Sequence, residues 1–153
     1  MSPFRFRLQR VLELRRTQFQ IAEIDYSRAL SKLHAAQASR ATLAEKQLET
    51  RRSFSRMQQV QGQDLAPLGD WYRWADGEAS RLTGVEQAAA QEVEKRRLSL
   101  VEAQRKTRLL EKLRDQRQKQ WQSAFDKEIE SLAADSTSSR YARAGTRDKK
   151  RST

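Results

Sequence analysis

The 153 residues predict an all-α fold: a long antiparallel two-helix coiled-coil hairpin followed by a disordered basic C-terminal tail. Three observations carry that expectation. The composition, 37% hydrophobic against 33% charged with a mean hydropathy of -0.95, is too polar for a thick globular core and suits helices that bury a narrow seam. Apolar residues recur at alternating three- and four-residue steps over two long stretches, which is a heptad pattern. Between them lies one cluster of helix breakers, Gly62, Pro67 and Gly69, within VQGQDLAPLGDWYRWADG.

The first helix is expected over about residues 3–60, with Ser2 as its cap and Pro3 in its first turn. Its seam runs through Leu8, Leu12, Phe19, Ala22, Tyr26, Ala29, Leu33, Ala36 and Leu43, with Arg15 occupying one seam position. Beyond Ala36 the phase divides. Arg40, Gln47 and Thr50 lie on the strict continuation, Ala41, Ala44 and Leu48 on a shifted one, and a locally drifted supercoil is expected there.

The breakers place the turn at about residues 61–69 and the second helix at about 70–134. Its seam reads Leu82, Val85, Ala89, Val93, Arg96, Leu100, Ala103, Thr107, Leu110, Arg114, Arg117, Trp121, Phe125 and Leu132. The two successive four-residue steps at Val85, Ala89 and Val93 read as a stutter. Helices of this length span roughly 90 Å at 1.5 Å per residue, and neither can bury its seam alone, so they pair as one hairpin over residues 1–135. Residues 136–153, rich in Ser, Thr, Arg and Lys, cannot build a core and are expected as the disordered basic tail.

The net charge of +11 predicts attraction to an acidic partner: nucleic acid, an anionic membrane or an acidic protein surface. With no cysteine there is neither a disulfide nor a thiolate metal site, and no apolar run reaches a membrane span, so a soluble intracellular protein is the default expectation. His34 is the only histidine and no phosphate-cradling glycine loop occurs, so an enzyme is not expected, nor any cofactor or metal. Asp126, Glu128 and Glu130 read as a solvated helix face rather than an acid/base or metal cluster.

Two places invite a partner. The basic, amphipathic opening FRFRLQRVLELRR is open to three readings: a membrane-surface helix, a partner-inserting tip, or the first turns of a coiled coil with basic flanks. Near the turn, Trp71, Tyr72 and Trp74 cannot all face a narrow seam. Trp71 and Trp74, three residues apart, are expected on one face with Tyr72 pointing elsewhere, which leaves a ring for docking. Nucleic acid is not the expected partner, because the arginines are interleaved with Glu and Gln and no nucleic-acid-binding signature occurs.

The opening, from Phe6-Arg7-Leu8-Gln9-Arg10 through Val11-Leu12-Glu13-Leu14-Arg15, resembles the flagellar export protein FliJ family, as do Ala103-Gln104-Arg105 and Leu110-Glu111-Lys112-Leu113. The resemblance extends to about Leu132, and the weakly acidic Lys127-Glu128-Ile129-Glu130 departs from the strongly acidic stretch the family often carries there. What the resemblance implies is a non-enzymatic part of the flagellar type III export apparatus, similar in shape to the central stalk of rotary ATPases. It implies three partners: an export ATPase hexamer entered by the end with Arg7, Leu8, Arg10, Val11 and Leu14, the cytoplasmic domain of an export gate facing Trp71, Tyr72 and Trp74, and export chaperones. The implied location is cytoplasmic, peripheral at the inner membrane near the flagellar base and held there through partners; oligomeric state is open. The alternative is a basic nucleic-acid-binding or scaffold coiled coil.

Overall fold

The computed structural model describes residues 2–151. It contains two long helices, α1 (Gln9–Arg56) and α2 (Gly62–Arg151), and no strand among the described residues. The chain is an all-α helical hairpin. It divides into two compact units: Arg16–Arg105, and Met1–Arg15 with Lys106–Thr153.

In the Arg16–Arg105 unit, α1 and α2 run antiparallel. Asp25 meets Arg96 and Arg40 meets Glu86, so partners rise along one helix as they fall along the other. The seam of α1 keeps strict phase through Phe19, Ala22, Tyr26, Ala29, Leu33, Ala36, Arg40, Leu43, Gln47, Thr50 and Phe54, every one buried or half-buried except Arg40. Ala41, Ala44 and Leu48 are exposed. The drift expected after Ala36 is therefore absent, because Arg40 keeps its seam position by pairing with Glu86 across the helices at 2.8 Å.

The same pair removes the expected stutter on α2. Glu86, not Val85, takes the seam position, and the steps Leu82, Glu86, Ala89, Val93, Arg96, Leu100 alternate four and three without a break. Val85 lies exposed. The apolar core of this unit is thin: Leu43, Ala75 and Leu82 cluster with Trp71 and Ala79 against them, while Ala29 and Ala36 are buried elsewhere in the seam. Alanines let helix backbones approach but bury little apolar area each, so polar pairs across the seam carry much of the register.

The turn differs from expectation. The connection is residues 57–61, and Gly62, Pro67 and Gly69 all lie inside α2. No glycine among the described residues has positive φ, so none is needed to reverse the chain. The start of α2 is set by a cap: the Gln61 amide donates to Asp64 Oδ2 (3.3 Å) while the Asp64 amide donates to Gln61 O (2.9 Å). Pro67 then removes one helical donor in the second turn, a local weakness rather than a break.

In the other unit, the first residues also depart from the expected helix. Residues 2–6 are not helical, and α1 starts only at Gln9. Phe4 and Phe6 are half-buried while Arg5 and Arg7 are exposed, the period-two alternation of an extended segment. A helix would set Phe4 and Phe6 about 200° apart, so both could not pack on one neighbour. Phe4 lies 6.1 Å from Trp121 between ring centroids, and Trp121 stacks on Phe125 at 5.3 Å. Leu12 is fully buried, and the buried Thr107 hydroxyl donates to the Arg15 carbonyl at 3.1 Å.

At the far end, α2 passes the expected stop near Ala134 and continues to Arg151. Residues 136–141, expected within the tail, are helical and exposed, with the Ser136, Thr137 and Ser139 hydroxyls donating to carbonyls three or four residues earlier. The helix there satisfies its own backbone without burying a face. Ser152 and Thr153 fall outside the described residues.

Candidate interaction surfaces

The extended segment and the first turns of α1 present one basic, partly apolar surface. Arg7 and Leu8 form the turn that precedes α1, and Arg10, Val11 and Leu14 lie on its first turns. Leu8 is 39% exposed, Val11 40% and Leu14 55%, because Leu12 takes the inward position that Leu8 was expected to share. Arg7 and Arg10 are exposed, and neither pairs with a carboxylate among the described residues.

Trp71, Tyr72 and Trp74 separate differently from the expected grouping. Trp71 packs against the Leu43–Ala75–Leu82 cluster, and Tyr72 stands edge-on to it with centroids 5.1 Å apart. The two rings that share a contact are thus neighbours in sequence, not the pair one helical turn apart. Trp74 is 58% exposed and borders a shallow groove floored by Leu43 and Leu82 and edged by Lys46, Glu78 and Arg81.

Charge is unevenly divided. The unit of Met1–Arg15 with Lys106–Thr153 holds 17 basic and 8 acidic residues, a balance of +9, whereas Arg16–Arg105 holds 14 and 12, a balance of +2. In the nearly neutral unit many arginines are paired: Arg40 with Glu86, Arg73 with Asp70, Arg81 with Glu78, Arg96 with Glu92 and Asp25, Arg97 with Glu94. Hydrogen bonds from Arg81, Arg96 and Arg97 hold Glu78, Glu92 and Glu94 respectively below the ordinary glutamate range. In the basic unit Arg114 pairs with Asp115, yet 17 basic residues stand against only 8 acidic ones, an imbalance that whole-chain charge conceals.

Among the described residues no group of three or more His, Cys, Asp or Glu is placed to hold a metal ion, and no helix is long and apolar enough to cross a membrane. His34 is exposed on α1.

Residues 4–147 match the family described as Flagellar FliJ protein. The chain belongs to the FliJ family. The match takes in both helices and extends beyond Leu132, so the departure at residues 127–130 does not end it. FliJ membership makes this a flagellar export-related protein. No curated protein and no solved structure matches it. Both surfaces, the basic opening and the Trp74 groove, lie within the part that matches FliJ.

The extended packing of Phe4 on Trp121 was missed by reading the opening as one amphipathic helix. The alternation Phe4-Arg5-Phe6-Arg7 was its available signal.

Proposed function

We propose that this FliJ-family chain is a non-catalytic coupling component of flagellar export, in which Arg7, Leu8, Arg10, Val11 and Leu14 enter the ring of an export ATPase hexamer and promote its assembly. The observation that carries the reading is that Arg7 and Arg10 are exposed and meet no carboxylate among the described residues, beside exposed Leu8, Val11 and Leu14 in the more basic of the two units. Uncompensated arginines speed encounter with an acidic ring, and the apolar side chains between them supply contacts that survive salt. ATP hydrolysis belongs to the ring. The exposed Trp74 is the docking residue for the cytoplasmic domain of the export gate, with Trp71 holding its helix in place from within the seam and Tyr72 edge-on to Trp71. Export chaperones are further partners, and the chain resides at the cytoplasmic face of the inner membrane through these contacts.

The test is stimulation of a purified export ATPase by the full chain and by a variant carrying Arg7→Gln, Leu8→Ala, Arg10→Gln and Val11→Ala, with helicity compared by circular dichroism. Loss of at least fivefold in stimulation at equal helicity is expected. Unchanged stimulation refutes ring entry by these residues. Salt-sensitive retention on DNA with no stimulation by the parent chain would replace the reading with a nucleic-acid-binding coiled coil.

A further inference from the structure

The extended opening segment and α2 enclose a groove of whose lining the ring reading uses only Arg7 and Leu8. Its apolar floor is Phe4, Leu113 and Trp121, and its rim carries Arg5, Arg7 and Arg117. Among the described residues none of the three guanidinium groups meets a carboxylate; Arg117 donates only to Gln120, at 3.4 Å. Among the described residues the amides of Arg5, Phe6 and Arg7 also make no backbone hydrogen bond, and the Phe6 carbonyl accepts from the Gln9 amide at 3.0 Å.

We propose that this groove binds an extended acidic protein segment in which carboxylates flank an apolar side chain. Each part of the site answers one part of that ligand. Guanidinium forks bind carboxylates with two donors each, and gain most where no competing carboxylate is already in place. The floor of aromatic and leucine side chains takes the apolar residue between them, as buried aromatics do at the centre of protein interfaces. An extended chain with unpaired amides accepts a second extended chain alongside it, so main-chain hydrogen bonds fix the direction of the ligand. A lipid surface is less suited to a concave site, and the Trp121 ring, already stacked on Phe125, leaves one face fewer for nucleic-acid bases.

The experiment uses the full chain with Trp71→Phe and Trp74→Phe, so that fluorescence reports Trp121 alone. The probe is a capped peptide, Asp-Leu-Glu-Phe-Asp, compared with its Asn/Gln counterpart, duplex DNA and phosphatidylglycerol vesicles. Saturable change with the acidic peptide is expected, with binding at least tenfold weaker for the amide peptide and at least tenfold weaker when Arg5→Gln and Arg117→Gln are introduced at unchanged helicity. Those two arginines lie outside the residues proposed to enter the ring, so failure here leaves the ATPase result standing, and the reverse. Equal binding of the amide peptide, an equal response to DNA or vesicles, or insensitivity to the two substitutions overturns the proposal.

Discussion

Replacing Gly77 and Gly84 with alanine is expected to stabilise the protein, although glycines near a turn are usually kept for their backbone freedom. Both lie inside α2, neither has positive φ, and a Cβ built on either meets no atom within 4 Å. Nothing in the folded state therefore uses the missing side chain. Glycine in a helix interior costs roughly 0.5–1 kcal/mol relative to alanine, mostly through the freedom it loses on folding. The two positions are seven residues apart, about 10 Å along the helix, so their effects should add to about 1–2 kcal/mol. With a urea dependence of about 2 kcal/mol per molar, the double variant should shift the unfolding midpoint upward by about 0.5–1 M, read by circular dichroism. Gly62, the first residue of α2, serves as control: alanine there should change little, because helix ends carry less of the interior penalty. A loss of stability at Gly77 or Gly84 would refute the reasoning and show that the backbone there is approached closely.

Arg40 and Glu86 should show coupling of about 0.5 kcal/mol in a double-mutant cycle with alanine, since Glu86 is only 23% exposed but Arg40 is 54% exposed and solvent screens the pair; additive single effects would show that the pair does not hold the seam phase. The carboxylates of Glu78, Glu92 and Glu94 are held low by arginine hydrogen bonds, so their contribution is present at neutral pH and is lost as pH falls through those lowered values. The parent chain should therefore be more heat-stable than the Glu78→Gln, Glu92→Gln, Glu94→Gln variant at pH 7, with the gap closing below roughly pH 4 in thermal melts. A gap that persists in acid would exclude charge as its source.

Much of the fold was legible because the seam is local information. The heptad steps from Phe19 to Ala36 and from Ala89 to Thr107 can be read off the chain, and the structure buries or half-buries those positions. The family was legible in the opening motif for the same reason. The turn was misplaced because Gly62, Pro67 and Gly69 resemble breakers in sequence, yet glycine at negative φ and proline near a helix start can be housed in a helix. The quieter signal was Asp64, three residues beyond Gln61 and able to cap it. Of the candidate surfaces, exposure divided what proximity had grouped: Trp71 joined the core while Trp74 stayed outside.

The sequence by itself determined that this chain is helical, polar, strongly basic and a FliJ relative, since composition, period and motif are properties of neighbours along the chain. Only the tertiary structure decided that Glu86 displaces Val85 from the seam, that Thr107 reaches the Arg15 carbonyl, and that Phe4 leaves the helix to pack on Trp121. Each of these joins residues dozens of positions apart. A charged or extended residue looks like an interruption until the partner that satisfies it is brought alongside, and that partner is supplied by the antiparallel pairing within each unit.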